Sequence, residues 1–425
     1  MKKSFFFKII AAVLSTICIV NAVFASDKVL VGYYENWATE RPIAFSLAPL
    51  DIPGQLLTHV NYAFLKFDKN QAIVTIDHRA DATLLPQLDK LRQKFPHLKI
   101  GYSIGGEKSG KPFSQMAADP TARKRFIANA IAFAYKHHFD GIDIDWEFPA
   151  GEWPPGVTHP EDYANYLELM KAFREEITKN EQAGHAPLYL TIASGINPKH
   201  YQDEPGSPNN WFNILSQYVD WINIMAYDYY GPWKDGAPTG ANAPLVEVLN
   251  PTGDGQYLAI MPTLTYMLNT QKISPDKLVL GLSAYGNEFA GVASPNIGAT
   301  SRGPGAGGIG LEQKGVLSFL EIKYKVNKDL AKGDKLKVYQ RPPEPPYVYN
   351  ETTREWISFD DIESIQHKVE YINQLSLRGA MLWSISLDSM VKTDCFPILK
   401  TVYLGLYGKV EPVTCVHDWP KDPKN

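Results

Sequence analysis

The sequence predicts an α/β protein, eight strand-plus-helix units closed into a (β/α)8 barrel with a small α+β insertion between strands seven and eight. Three observations carry this. Short apolar runs recur along the 425 residues, most of them followed by a segment of helical period. One run, Phe139–Pro149, alternates acids with apolar residues. About ninety residues separate the last two runs, far more than an ordinary connection.

The first run is Val29–Tyr34, the second Leu57–Phe67 and the third Leu98–Gly106. A helix from Pro120 to His138 follows. Asp119 and Pro120 suit its start, and Phe126, Ile127, Ala130, Ile131 and Ala134 share one face. The acid row is the fourth strand. A second helix runs from Pro160 to Lys179 with Tyr163, Tyr166, Leu169, Met170 and Phe173 as its buried stripe. Leu188–Ala193, Trp221–Tyr227 and Leu278–Ser283 read as strands five to seven. A helix over Phe359–Leu375 precedes strand eight, Ala380–Ile385. In the long connection Val316–Tyr324, Lys335–Gln340, Tyr347–Asn350 and Glu355–Ser358 read as strands. The expected divisions are a signal peptide at 1–25, barrel strands one to seven at 26–286 and the insertion at 287–357. Strand eight with the last helix takes 358–408, and 409–425 is a tail.

The acid row organises the rest. A strand puts every second side chain on one face, so Asp143, Asp145 and Glu147 line up, each ~6.7 Å from the next at ~3.3 Å per residue. Ile142, Ile144 and Trp146 point the other way, into apolar packing. Pro149 cannot donate to a ladder, so the strand ends near Glu147. That places Glu147 at a carboxyl end, where such barrels keep their chemistry, and Tyr227 and Trp383 fall at predicted carboxyl ends too. Asp140 is out of phase and serves the turn or the strand entrance. Three carboxylates buried in a row repel one another and lose hydration at a cost that packing does not require. The row therefore manages protons.

Composition narrows the partners. A net charge of -4 leaves no electrostatic footprint for nucleic acid. Aromatics reach 12%, including 23 Tyr and 9 Trp, which supplies flat platforms for sugar rings. Trp37, Trp153, Trp211, Tyr229, Tyr230 and Trp233 lie in segments that reach for the rim, with ordinary packing as the competing reading. Met1–Ala25 has the form of a secretory signal: Lys2, Lys3 and Lys8, an apolar core Ile9–Val20, and small residues at a cleavage site. Cys18 leaves with it. Export favours pairing of the two remaining cysteines, Cys395 and Cys415, tethering the tail. No later stretch is long and apolar enough to cross a membrane.

Other motifs carry no chemistry. Gly303–Gly310 has the spacing of a dinucleotide loop, but no strand precedes it and Pro304 disfavours the turn, so it reads as a loop. His137 and His138 end a helix and share no face. The chain shows neither a metalloprotease motif nor a serine nucleophile elbow, and calls for no cofactor or metal.

The pattern Asp140-Gly141-x-Asp143-x-Asp145-x-Glu147 resembles the signature of the family-18 glycoside hydrolases, the chitinase family. The resemblance extends to Ser103-x-Gly105-Gly106, Met225–Asp228 and Gly379–Ser384, and to the branch that carries an α+β insertion in its TIM barrel. It implies a secreted, retaining chitinase acting on β-1,4-linked N-acetylglucosamine polymers, in which the substrate supplies the nucleophile. Glu147 is then the general acid, Asp145 orients the substrate's amide, Asp143 trades hydrogen bonds and a proton with Asp145, and Tyr227 donates to the acetamido oxygen. The substrate-binding set it implies is Tyr33, Ser103, Trp146, Met225, Asp228 and Trp383. Trp383 floors the cleavage site, Tyr33 and Ser103 act from behind it, and Trp146 joins the set although alternation turns it away. Ser386 stands where many relatives have an acid, which bears on a subsite. The expected partners are chitin or chitooligosaccharides, with a monomer as the expected state. The alternatives are an endo-β-N-acetylglucosaminidase on glycoproteins, a hydrolase of peptidoglycan-like polymers and a non-catalytic lectin.

Overall fold

The computed structural model describes residues 28–75, 78–151, 159–246, 259–309, 311, 313–415, 417 and 418. The signal pattern Met1–Ala25 and Trp153 lie outside the described residues.

In chain order the first half comprises β1 (Val29–Glu35), β2 (His59–Phe67), β3 (Ile73–Thr75), α1 (His78–Lys94), β4 (Lys99–Gly106), α2 (Gly110–Ala118), α3 (Pro120–Lys136) and β5 (Gly141–Trp146). Next come α4 (Asp162–Gln182), β6 (Tyr189–Ser194), α5 (Trp211–Ser216), β7 (Trp221–Ile224), α6 (Ile260–Thr265) and β8 (Leu278–Ser283). β9 (Tyr285–Phe289), β10 (Val316–Ser318), α7 (Phe319–Ala331), β11 (Leu336–Arg341), β12 (Glu344–Asn350) and β13 (Glu355–Phe359) occupy the long connection. α8 (Ile362–Gln374), β14 (Gly379–Trp383), β15 (Met390–Val391), β16 (Asp394–Cys395) and α9 (Pro397–Tyr407) complete the chain.

Eight parallel strands run in the order β1-β14-β8-β7-β6-β5-β4-β2, and pairing of β1 with β2 closes the ring. β3 only adds a hairpin to β2. The crossover helices cover the outside, so a barrel strand is buried on both faces; every residue of β5 and of β8 is buried. Local chemistry sets the helix ends. Pro120 occupies the first turn of α3, and the Asp119 side chain accepts the Thr121 N–H at 2.8 Å. Among the described residues no helix is long and apolar enough to cross a membrane.

Two sequence expectations give way. Strand six was expected to reach Tyr227, yet β7 stops at Ile224. The Ala226 N–H bonds the Ile224 carbonyl at 2.8 Å and the Tyr227 N–H bonds the Met225 carbonyl at 2.9 Å, so the chain turns on itself instead of extending the ladder. Val316–Tyr324 was expected as a strand, but only Val316–Ser318 is one. Ser318 and Glu321 form a reciprocal capping box that starts α7 at Phe319.

The insertion is a five-stranded antiparallel-paired sheet, β10-β9-β13-β12-β11, backed by α7. It has a small core of its own in Phe289, Val292, Tyr347, Tyr349 and Trp356. β9 follows β8 after a single residue, Ala284, so the inserted sheet is joined directly to a barrel strand. At the other end Cys395 and Cys415 are joined by a disulfide.

Candidate active site

Register builds the site in layers. Ser103 of β4 pairs with Asp143 of β5, and Asp143 pairs with Thr191 of β6, so the three side chains share one level inside the barrel. Asp143 is fully buried and sits at the hub. Its Oδ2 accepts from the Tyr33 and Ser103 hydroxyls, both at 2.7 Å. Its Oδ1 accepts from the Thr191 hydroxyl at 2.6 Å and from Asn223 Nδ2 at 3.3 Å. Asn223 is itself held by the Trp221 indole N–H at 3.0 Å. Burial pushes the Asp143 carboxyl up, and the four donors pull it back.

One level higher lies Asp145, opposite Gly105. A Cβ at Gly105 would meet the Asp145 carbonyl oxygen at 2.0 Å, and its φ of +128° excludes most side chains, so the third strand needs glycine here. Asp145 is buried and its Oδ1 lacks a hydrogen-bond partner. Its four-donor neighbour Asp143 makes no hydrogen bond to it among the described residues, so any exchange between the two acids is electrostatic in this state. Burial first, then the nearby Glu147 and Asp143, hold the Asp145 carboxyl well above the usual range.

Glu147 stands at the mouth, half-buried. Ser109, in the loop before α2, accepts the Glu147 N–H at 3.0 Å and donates to the Asp145 carbonyl at 3.0 Å. One hydroxyl thus replaces the ladder where β5 ends. Burial pushes the Glu147 carboxyl up to about 8, helped by Glu107 and Asp228. The expectation that the row itself raises Glu147 is thus refined: desolvation leads, and the charges that follow stand on neighbouring loops.

The turn after β7 brings Met225, Tyr227 and Asp228 to the same mouth. With Glu147, Phe148 and His200 they line a cavity of about 370 Å³. Asp228 takes a left-handed φ of 60°, and Asn242 Oδ1 accepts its N–H at 2.9 Å. Its carboxyl is held by Tyr285 and by Asn287 Nδ2 at 3.3 Å, both from β9. The insertion therefore anchors this corner of the site. Trp383, at the end of β14, is half-buried against Tyr33 and Phe64, each at 5.5 Å between ring centroids. The bonds Ala63–Phe64, Glu147–Phe148 and Trp383–Ser384 are cis.

Trp146 is not in the cleft. It is 1% exposed, stacked on Phe113 at 5.6 Å and packed on Tyr166 at 4.9 Å, between the barrel and α2 and α4. Strand alternation, which sends the acids inward, sends Trp146 outward. Tyr33 and Ser103 are likewise fully enclosed, so they bind Asp143 rather than substrate. Ser386 is buried and donates to the Glu35 carboxylate, so it bears on an internal contact and not on a subsite. Of the rim aromatics, Trp211 is fully buried and Tyr229 is buried with its hydroxyl 3.2 Å from that of Thr263, whereas Trp233 is 53% exposed.

Sequence reading missed Thr191, Asn223, Ser109, Asn242, Tyr285, Asn287 and His200. A signal existed for two: Thr191 and Asn223 are lone polar residues in otherwise apolar central strands, which a buried acceptor would explain. Asp140 is at the strand entrance, its Oδ2 accepting the Ile100 N–H at 2.8 Å.

A column of buried acids thus rises through the barrel to a half-buried carboxyl, Glu147, at its mouth. The model for glycosyl hydrolases family 18 matches residues 29–388. The chain belongs to this family. As a family-18 protein it is a glycoside hydrolase. It is 32% identical over 383 residues to chitotriosidase-1 of Mus musculus, covering 88% of this chain and 77% of that protein. It resembles the crystal structure of Ostrinia furnacalis group IV chitinase in complex with allosamidin at TM-score 0.79 and 30% identity, covering 90% of this chain and 99% of that one. It also resembles human YKL-39, described as a pseudo-chitinase with retained chitooligosaccharide binding properties, at TM-score 0.77 and 28% identity, covering 89% and 99% of the two chains. The relatives of this family-18 hydrolase thus include proteins described as chitinases and one described as a pseudo-chitinase.

Proposed function

We propose that this family-18 hydrolase is a secreted chitinase that cleaves β-1,4-linked N-acetylglucosamine polymers with retention, through substrate assistance. The observation that carries the reading is the division of labour in the acid row: Glu147 alone lines the open cavity, and its carboxyl holds a proton up to about 8. A protonated carboxyl at neutral pH is a general acid. Asp143 is enclosed beneath it with both carboxylate oxygens hydrogen-bonded, which disfavours it as a nucleophile toward the anomeric carbon.

In this reading Glu147 donates its proton to the glycosidic oxygen as the bond to the anomeric carbon breaks. The carbonyl oxygen of the substrate's own 2-acetamido group forms the new bond, giving an oxazolinium ion. Asp145, whose Oδ1 is unpartnered, accepts the amide N–H and stabilises that cation. Asp143 stays fixed beneath it, held by its four donors. Tyr227 donates to the acetamido oxygen, Asp228 and Met225 complete that wall, and Trp383 floors the sugar. Water then opens the ring, with Glu147 as base. Export is supported by the Met1–Ala25 pattern and by the Cys395–Cys415 disulfide.

The decisive experiment compares hexamers of N-acetylglucosamine and of glucose. Cleavage of the first and not the second is expected, because the second lacks the acetamido nucleophile. Equal rates on both would sink the mechanism. The lectin reading, favoured only by the likeness to YKL-39, predicts binding without cleavage; the presence of Glu147 argues against it.

A further inference from the structure

The stretch after β6 carries a histidine that the proton chemistry does not use. His200 ends a single turn, Pro198–His200, which Asn197 caps by accepting the Lys199 N–H at 3.1 Å. Its ring lies flat on Phe148, the neighbour of Glu147, with centroids 3.7 Å apart and planes at 13°. Its Nδ1 faces Gly195 so closely that a Cβ there would meet it at 2.2 Å. Nδ1 is enclosed and has no hydrogen-bond partner. Burial and the adjacent Lys199 push the imidazole down to about 3, so the ring is neutral at working pH and carries one proton. An N–H at Nδ1 would be a buried donor without an acceptor, at a cost of roughly 1–3 kcal/mol. The proton therefore sits on Nε2, at the edge turned away from Gly195, and His200 lines the cavity beside Glu147.

That cavity is lined by Glu147, Phe148, His200 and Tyr229, and by Met225, Tyr227 and Asp228 of the acetamido wall, but not by Trp383 or Asp145. If Trp383 floors the attacked sugar and the acetamido wall holds its amide, the Phe148 and His200 side of the cavity, across Glu147, receives the sugar that leaves. We infer that His200 determines leaving-group specificity, donating from Nε2 to a hydroxyl or amide oxygen of the departing N-acetylglucosamine unit. This rests on the chitinase reading above. Phe148 and Gly195 fix the ring in place, so the donor is preorganised and loses little freedom on binding.

Two substrates separate the roles: tetra-N-acetylchitotetraose, whose leaving group is a saccharide, and an aryl chitobioside, whose leaving group is a fluorogenic phenol-type ring. His200→Phe keeps the stack on Phe148 and removes the donor. It should lower kcat/KM for the tetramer about fivefold to tenfold more than for the aryl glycoside, chiefly through KM, the scale of one neutral hydrogen bond. His200→Gln, which restores a donor, should recover part of that gap. A parallel fall on both substrates, or no change on either, overturns the inference. Calorimetry of the tetramer on Glu147→Gln, with and without His200→Phe, reads binding without turnover. A weaker affinity in the double variant is expected, and equal affinities reject the role. If the wild type hydrolyses neither substrate, the chitinase reading fails, while the calorimetric comparison still decides whether His200 recognises the saccharide.

Discussion

The Tyr33 hydroxyl donates to Asp143 Oδ2 at 2.7 Å, joining the first barrel strand to the fourth through the barrel interior. Asn223 donates in turn to the Tyr33 oxygen at 3.2 Å, so one phenol serves two partners. Tyr33→Phe removes a donor to a buried carboxylate and leaves an Asn223 N–H short of an acceptor. A stability loss of about 2 kcal/mol is expected in denaturant unfolding, within the range for hydrogen bonds to charged groups. Turnover should fall as well, because Asp143 loses one of the donors that fix it under Asp145. Wild-type stability in the variant would show that the hub is redundant.

Glu147→Gln removes the transferable proton and retains the shape. Hydrolysis of N-acetylglucosamine oligomers should drop by at least about a thousandfold, in the upper part of what general acids supply, while oligomer binding persists. Calorimetry beside a turnover assay checks both halves.

The pH profile follows from the same carboxyl. Below about 8 Glu147 is protonated and competent; above it the proton is lost, and kcat/KM should decline along an alkaline limb centred there. The same shift acts on stability. The unfolded carboxyl titrates near 4.5, so between that pH and about 8 the folded chain keeps a proton that the unfolded chain has released. Stability contributed by this group is therefore present in acid and is lost as pH rises through that window. Thermal unfolding of wild type and Glu147→Gln across it should diverge in that direction.

Glu107 offers a second handle on the limb. Its negative charge is the largest contribution after burial to the raised Glu147 pKa. Glu107→Gln should move the alkaline limb to lower pH, by less in high salt, where exposed charges are screened. A limb that stays in place would assign the shift to burial and Asp228.

The Cys395–Cys415 bridge closes a stretch of 20 residues that runs through α9 to the tail. Loop-closure entropy for that separation amounts to about 3 kcal/mol. Replacing both cysteines by serine should lower stability by a comparable amount with little effect on kcat, since neither cysteine lines the cavity beside Glu147. Unfolding curves and a turnover assay on the double variant test this.

What the sequence determined by itself was local and periodic. The two-residue period of the acid row placed Asp143, Asp145 and Glu147 on one face and ended the strand at the cleft. The apolar runs and helical stripes announced the barrel, and the length of the last connection announced the insertion. The same period argued against Trp146 in the cleft, and the structure followed the period. What only the tertiary structure decided were contacts between distant strands. Four donors from β1, β4, β6 and β7 converge on Asp143, and β9 reaches over to hold Asp228. Those depend on strand register, which one segment's pattern cannot encode because it is fixed by packing against the others. The end of β7 and the start of α7 were likewise settled by particular backbone hydrogen bonds. The placing of a neutral histidine beside the acid also came from three-dimensional enclosure: Gly195 and Phe148 hold His200 across a gap of some fifty residues from the acid row.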